Sequence, residues 1–413
     1  MLVWCTNTMT STVEDVLGQA GTTPLAVASL FSAGDEASRS KALPRHAREH
    51  NRALIVRTLY TSGAQSRADL ARATGLAKVT VSDLVAELLE SGFVEELGPR
   101  KPKGPGKPAI VVDIAWDGFL IVAVDLSEHG VFRSSLVTLD ATPVLELMIP
   151  TKGEKGEDAL NLLMQLVADS LAQADRPVLG MGVGTPGLVT PSGEVRMAPN
   201  LGWRDVPLQA ILEEEFGIPC IVINDANMAA LGQDLFEDTA DDFILVTIGE
   251  GVGAGLIMNR ALVQGSGHAV GEIGHVDVED GIPSGNKFDP GRVLERRIAV
   301  PALKDRLGAA PAEEREKVFR EAGDRLGRML APIIAALDLS EVVLAGPKEI
   351  LEGPFAKATS TAVKARILPE TTEHLAIRVN EDVNRLVMLG CTSQVLATLF
   401  GVSRGQVSRS QRS

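Results

Sequence analysis

Five apolar strands that each run into a glycine or small polar turn restrict this chain to a layered α/β fold. Residues 120–126 end in Asp125-Leu126-Ser127, and residues 179–183 run into Gly184-Thr185-Pro186-Gly187. Residues 220–223 lead to Asn224-Asp225-Ala226-Asn227, and residues 243–248 to Gly249-Glu250-Gly251-Val252-Gly253-Ala254-Gly255. A fifth strand, 341–344, stops at Ala345-Gly346. Strands of this kind, alternating with helical stretches, form a sheet with covered faces, and ligand groups collect at the strand ends.

Upstream the pattern is helical. Residues 51–60 carry Leu54, Ile55 and Leu59 on one face, and Gly63 follows as a stop. Ser66-Arg67-Ala68-Asp69 has the form of a capping box, with Ser66 as N-cap. Thr74-Gly75-Leu76 is a tight turn in which Gly75 can be left-handed. The next helix bears Val81, Leu84, Val85, Leu88 and Leu89, a complete apolar stripe. After Gly92, short strands at 93–97 and 109–113 flank a Pro/Gly-rich, cationic tip. Helix, short helix, turn, helix and basic hairpin is the plan of a winged helix-turn-helix.

The last of these helices presents Lys78, Val79, Thr80, Ser82 and Asp83 near its start, and Glu87 and Glu90 further along. Acids repel phosphate, so the N-terminal end is the one expected in the DNA major groove, aided by the helix dipole. Lys78 and Thr80 would hold phosphates, Val79 a thymine methyl and Asp83 a cytosine amino group. Ser66 and Arg67 join Ser82 as candidate contacts, and Arg100, Lys101, Lys103 and Lys107 would touch the backbone or the adjacent minor groove. Charge is distributed accordingly. Between Lys41 and Ile110 there are 12 Lys and Arg against 7 Asp and Glu, whereas the whole chain has 40 against 54.

At 413 residues and 45% hydrophobic, the chain is long enough for two to four globular domains. Cys5, Cys220 and Cys391 are too scattered for a ligand cluster and read as reduced, cytoplasmic thiols. No run reaches the ~18 apolar residues of a membrane span. The apolar run at 24–31 follows Glu14 and Asp15 with no Lys or Arg, the wrong charge for a secretory signal. The expected organisation is a flexible tail at 1–46, the winged helix at 47–113, a two-lobed ligand-binding and oligomerisation body at 118–400, and a tail at 401–413.

Gly184-Thr185-Pro186-Gly187, Asn200-Leu201-Gly202-Trp203, Asn224-Asp225-Ala226-Asn227, Gly251-Val252-Gly253-Ala254-Gly255 and Gly271-Glu272-Ile273-Gly274-His275 occur in that order. Together they resemble the ROK family, named for repressors, uncharacterised reading frames and kinases, over about residues 51–400. The resemblance implies an actin-like, ribonuclease H-like pair of sugar kinase-type lobes with a sugar in the cleft. The winged helix marks the repressor branch, whose members sense sugars and form homo-oligomers. On this reading Asn224 and Asp225 bond adjacent hydroxyls, and Asp225 matches the general base of the family's kinases. Glu272 and His275 clamp further hydroxyls, Glu295 matches a third sugar-binding acid, and Asn200 closes the pocket.

Two departures from the family separate regulator from enzyme. Its kinases carry Asp-x-Gly-x-Thr after the first strand, where this chain has Asp125-Leu126-Ser127-Glu128-His129. Glu250 replaces a usual Thr, and Leu344-Ala345-Gly346-Pro347 lacks paired glycines. Each added charge facing a triphosphate would cost on the order of several kcal/mol, so ATP is not expected as a cofactor. The glycines at 251–255 are then expected to serve tight strand-to-strand packing. The family's Cys-x-Cys-Gly-x-x-Gly-Cys zinc knuckle is replaced by a cysteine-free run from Asp280 to Asp289, so no thiolate metal site is expected.

The expectation is a sugar-responsive transcriptional regulator, a repressor in the first instance. A homodimer or homotetramer would bind an inverted-repeat operator in double-stranded DNA and respond to a small sugar or sugar phosphate, without enzymatic activity or a membrane partner. One alternative is an ATP-dependent hexose or N-acetylamino sugar kinase carrying a DNA module, with Asp225 as its base. Another is a constitutive repressor without a ligand.

Overall fold

The computed structural model describes residues 2–4, 44–100, 108–279 and 288–401. Cys5, Lys101, Lys103, Lys107 and the run from Asp280 to Lys287 lie outside the described residues, as does most of both expected tails. The chain opens with β1 (Leu2–Trp4), which pairs in parallel with β7, a strand of the first lobe at Pro143–Pro150.

Three helices follow, α1 (Pro44–Ser62), α2 (Arg67–Thr74) and α3 (Lys78–Glu90). A small sheet of order β2-β4-β3 flanks them, built from β2 (Gln65–Ser66), β3 (Val94–Arg100) and β4 (Ala109–Ile114). The capping box forms: Ser66 Oγ accepts from the Asp69 N–H at 3.2 Å, and the Asp69 carboxylate accepts from the Ser66 N–H at 3.3 Å. Gly75 closes α2 at φ 72°, in the left-handed region. Val81, Leu84, Val85 and Leu88 are all buried. α1 starts at Pro44, ahead of its apolar periodicity, and within it Arg48 pairs with Glu87 of α3. A polar contact between helices leaves no trace in hydrophobic spacing.

The first lobe contains β5 (Leu120–Asp125), β6 (Val131–Val137), β7, β8 (Val178–Thr185), the small sheet β9 (Leu188–Val189), β10 (Val195–Ala198) and β11 (Trp203–Val206), and β12 (Cys220–Asn224). Its main sheet has the order β1-β7-β6-β5-β8-β12. β5, β8 and β12 are mutually parallel, so their carboxyl ends gather at one edge, and this is what brings Asp125, Thr185 and Asn224 together. The helices are α4 (Glu157–Ala172), α5 (Leu208–Phe216) and α6 (Asp225–Phe236).

The second lobe repeats the plan. Its sheet, β15-β14-β13-β16-β17, again has an antiparallel hairpin followed by two parallel strands. The strands are β13 (Phe243–Ile248), β14 (Val252–Met258), β15 (Ala261–Leu262), β16 (Glu341–Ala345) and β17 (Ala376–Asn380). Its helices are α7 (Glu295–Ile298), α8 (Val300–Ala309), α9 (Arg315–Leu337), α10 (Lys348–Leu351), α11 (Pro354–Lys364) and α12 (Pro369–Thr372).

The last helix, α13 (Val383–Phe400), ties these parts together. By length and composition it could cross a membrane, but Leu386, Val387, Cys391, Val395 and Leu396 are buried inside the protein. A Cβ on Gly390 would lie 1.9 Å from the Met228 carbonyl oxygen, and one on Gly232 would lie 2.1 Å from that of Leu386. α6 and α13 therefore meet backbone to backbone. One continuous core joins Leu59, Leu84 and Phe93 of the N-terminal module to Ile121 and Leu179 of the first lobe and to Leu396 and Phe400 of α13.

Candidate functional site

A cleft of about 680 Å³ opens where the carboxyl ends of the two sheets face each other. Asn200, Asn224, Asp225, Glu272, His275 and Glu295 all line it, although up to 95 residues of sequence separate them. Asn200 is exposed at its rim, in the turn between β10 and β11. Asn224 is the N-cap of α6. Its Oδ1 accepts from the Asn227 N–H at 3.1 Å, while its Nδ2 donates to the Gly187 carbonyl at 3.0 Å. Asn224, expected to bond a hydroxyl, also holds with its amide the turn that presents Asp225.

Asp225 sits at the first position of α6 and Asp125 at the end of β5. Burial pushes the Asp225 carboxyl up to about 7, with the nearby charges of Asp125 and Glu272 adding to the effect. Burial also raises Asp125, to about 6. One Asp125 oxygen accepts from the Ser127 N–H at 2.9 Å, and the other is buried without a partner. Near neutral pH Asp225, which lines the cleft, has both protonated and ionised forms within reach, so it can accept a hydrogen bond from a hydroxyl group or donate one to it.

Gly271 places the opposite wall. It takes φ 95°, and a Cβ there would lie 1.8 Å from the Ala254 carbonyl oxygen, so only glycine lets this loop lie against β14. The Ala254 N–H donates to the Gly271 carbonyl at 2.9 Å. The following 3₁₀ turn, Ile273–His275, directs Glu272 and His275 into the cleft, with His275 Nδ1 3.1 Å from the Glu272 carboxylate. Burial raises the Glu272 pKa, while the His275 contact opposes the rise. Glu295 has a structural task as well. It accepts from the Val252 N–H at 2.9 Å and so fastens the start of β14 to α7.

Ser127, Glu128, Arg133, Gly249, Glu250 and Lys304 also line the cleft. Glu128 is bonded by Arg133 Nε at 2.7 Å. Sequence reasoning missed Arg133 and Lys304, which come from β6 and α8 and belong to no motif. It also misread two glycines. A Cβ on Gly255 would lie 2.4 Å from that of Ala230, and one on Gly253 would lie 3.1 Å from that of Ala226. These residues make room for helix α6 against β14, and the expected strand-to-strand role is corrected to strand-to-helix packing.

The stretch that stands where the resemblance has its zinc knuckle, Asp280 to Lys287, lies outside the described residues, and no cysteine occurs between Cys220 and Cys391. Among the described residues no three His, Cys, Asp or Glu side chains are grouped as metal ligands. Ion pairs brace this region instead. Arg292 Nε donates to Asp277 at 2.7 Å, and Glu279 accepts from Arg297 at 2.7 Å and from Arg325 at 2.9 Å.

On the N-terminal module, Lys78, Val79, Ser82 and Asp83 are exposed and Thr80 is partly so. Val79 is 72% exposed, with Leu97 and Ile110 of the hairpin also in solvent. Arg100 is exposed, and Arg67 bonds Glu96 at 3.1 Å. Ser66 does not belong to this face. It is 6% exposed and its hydroxyl is committed to the capping box, so its expected DNA contact is corrected to a structural role.

The profile of the ROK family matches residues 122–390, well over half the chain. The chain belongs to the ROK family. A xylose repressor of Caldicellulosiruptor bescii is 27% identical over 385 residues, which cover 85% of this ROK chain and 96% of the relative. The crystal structure of a ROK family transcriptional regulator, a homologue of the E. coli MLC protein, aligns with a TM-score of 0.74 at 20% identity, over 88% of this chain and 98% of that one. A ROK family glucokinase from Streptomyces griseus, solved with glucose and AMPPNP, aligns with a TM-score of 0.57 at 22% identity, over 67% of this chain and 98% of the glucokinase. The ROK fold shared with that kinase thus leaves about a third of this chain outside it.

Proposed function

We propose that this ROK protein is a sugar-responsive transcriptional repressor. Residues 47–113 form a winged helix-turn-helix that binds an inverted-repeat operator in double-stranded DNA. Residues 118–400 bind a small sugar or sugar phosphate and make the homodimer or homotetramer that spaces two DNA-binding heads about one helical turn apart, or a multiple of it.

One observation carries the reading. α13 lines the cleft with Val383, Asn384 and Val387, and the same helix enters the core of the N-terminal module with Leu399 and Phe400. A ligand that favours one closure of the lobes thereby favours one placement of the heads, provided it binds the two states with different affinity. The named function of the xylose repressor relative supports the same direction.

The reading includes no phosphoryl transfer. Glu250 lines the cleft and its negative charge opposes a triphosphate there, while Glu128 is held by Arg133. The rival is a sugar kinase with Asp225 as base. ADP release in a coupled assay over a panel of hexoses and amino sugars, abolished in Asp225→Asn, would establish the rival.

The direct test is to map the bound genomic sites and titrate the recovered operator with and without D-xylose, D-glucose or N-acetyl-D-glucosamine. The expected result is tight, salt-sensitive binding that one of these sugars weakens at least tenfold. Unchanged operator affinity under saturating sugar removes the sensing half of the proposal, and no binding to any fragment at low salt removes all of it.

A further inference from the structure

Charge and hydrogen-bond donors in the cleft distinguish a free sugar from its phosphate ester. Besides Glu128, the carboxylates of Asp225, Glu250, Glu272, Glu295, Glu381 and Asp382 line it, against the basic side chains of Arg133, His275 and Lys304. Two of these bases are already engaged. Arg133 Nε donates to Glu128 at 2.7 Å, and His275 Nδ1 lies 3.1 Å from Glu272. Lys304 is exposed and has no carboxylate partner among the described residues. The acids also act on one another. The charges of Asp125 and Glu272 add to the burial that raises Asp225, and the charge of Glu295 adds to the burial that raises Glu272. A phosphate dianion placed among them would increase that repulsion.

The backbone points the same way. Where side-chain cations are few, phosphates are held by N–H groups of glycine loops and helix starts. Here four such donors are spent on the protein itself. The Ser127 N–H donates to Asp125 at 2.9 Å and the Val252 N–H to Glu295 at 2.9 Å. The Gly249 N–H donates to the Gly251 carbonyl at 3.0 Å, and the Val300 N–H, at the start of α8, to the Gly249 carbonyl at 2.8 Å. All four donor residues line the cleft. Hydroxyl groups are in the opposite position. They donate as well as accept, so a wall rich in carboxylates satisfies them.

We propose that the cleft selects the free, unphosphorylated sugar and rejects its phosphate esters by charge. This rests on the reading of the cleft as a sugar site and narrows that reading to one class of effector. It also gives the protein a place in a reaction sequence. The sugar is sensed before phosphorylation, so a separate ATP-dependent sugar kinase consumes the signal. In that step a sugar hydroxyl oxygen bonds the γ-phosphorus of ATP, ADP leaves, and the hydroxyl proton is released to solvent.

Titration calorimetry of the full-length protein tests it with matched pairs: D-glucose and D-glucose 6-phosphate, N-acetyl-D-glucosamine and its 6-phosphate, D-xylose and α-D-xylose 1-phosphate. In each pair that binds, the free sugar should bind at least about tenfold more tightly than the ester. Glu250 is exposed, so Glu250→Lys should fold normally, and it should narrow that ratio at least about threefold. An ester that binds as tightly as its free sugar overturns the proposal. So does a ratio that Glu250→Lys leaves unchanged, because size and not charge would then exclude the phosphate. If neither member of any pair binds, the sugar reading of the cleft itself fails, and this inference with it. In the operator titration, adding ATP and a purified kinase for the bound sugar should reverse the effect of that sugar. An effect that persists after complete conversion to the ester overturns the proposal as well.

Discussion

Phe400, in the last turn of α13, meets Phe93, just before β3, with ring centroids 4.8 Å apart and planes tilted by 48°. Both rings are almost fully buried, in the core that body and N-terminal module share. Truncating a buried phenyl removes its transfer energy and leaves a cavity, so Phe400→Ala should cost about 3–5 kcal/mol. In protein that remains folded, sugar affinity should stay within a few fold while the effect of sugar on operator binding disappears. Calorimetry and paired DNA titrations read the two effects separately.

Asp125 provides a pH prediction with a definite sign. Its folded pKa of about 6 lies above the roughly 3.9 of an unfolded chain, so the folded state holds the proton more tightly. Stability therefore falls as pH rises between about 4 and 6, and the deficit is complete above that range. Asp125→Asn keeps an acceptor for the Ser127 N–H without a charge. It should be more stable than the parent by about 2–3 kcal/mol at pH 8 and nearly equal to it near pH 3.5. Urea titrations at the two pH values check this, and an equal gain at both would point away from a buried charge.

The ion pairs around Glu279 should be sensitive to salt and indifferent to chelators. Hydrogen bonds and charges from Arg297 and Arg325 hold its carboxyl below the usual range, so its contribution is present above the ordinary carboxylate pKa and is lost on acidification. The site is partly open to solvent, and Glu279→Gln should cost about 1 kcal/mol or less. That difference should shrink in about 1 M NaCl, where screening acts within ~3 Å. Thermal melts across a salt series, with and without EDTA, make the comparison. A fall in melting temperature with EDTA would show a metal bracing this region.

At the exposed start of α3, two substitutions should act differently on operator binding. Lys78→Ala should weaken all DNA sequences alike and lower the slope of log K against log salt by about 1. Val79→Ala should leave the slope unchanged and reduce discrimination at one base pair, by about 1 kcal/mol or less. Salt-dependent titrations against the operator and single-base variants separate a phosphate contact from a base contact.

Features written in local sequence were legible before any coordinates. The capping box at Ser66, the stripe from Val81 to Leu88, the glycine that ends α2 and the strands that reach the cleft each depend on neighbours a few residues apart. The six cleft residues were brought together by resemblance, and they do share one cavity. What escaped depends on contacts between distant segments. Nothing near Arg48 points to Glu87, and nothing near Glu295 points to the Val252 N–H. The glycines of β14 showed that something approaches closely, but their spacing could not say that it was α6. Asn224 lines the cleft and also caps α6, a second task that sequence alone does not show, since a terminal amide serves equally well as a cap or as a ligand.

The seam at Gly232 and Gly390 has a mechanical consequence. Where two helices touch through bare backbone, no rotamer can yield between them, and a packed interior of this kind switches between discrete arrangements instead of stretching. A shift of one helix should therefore carry the other with it, and a methyl group wedged into the joint, as in Gly390→Ala, should set the two helices at a different angle.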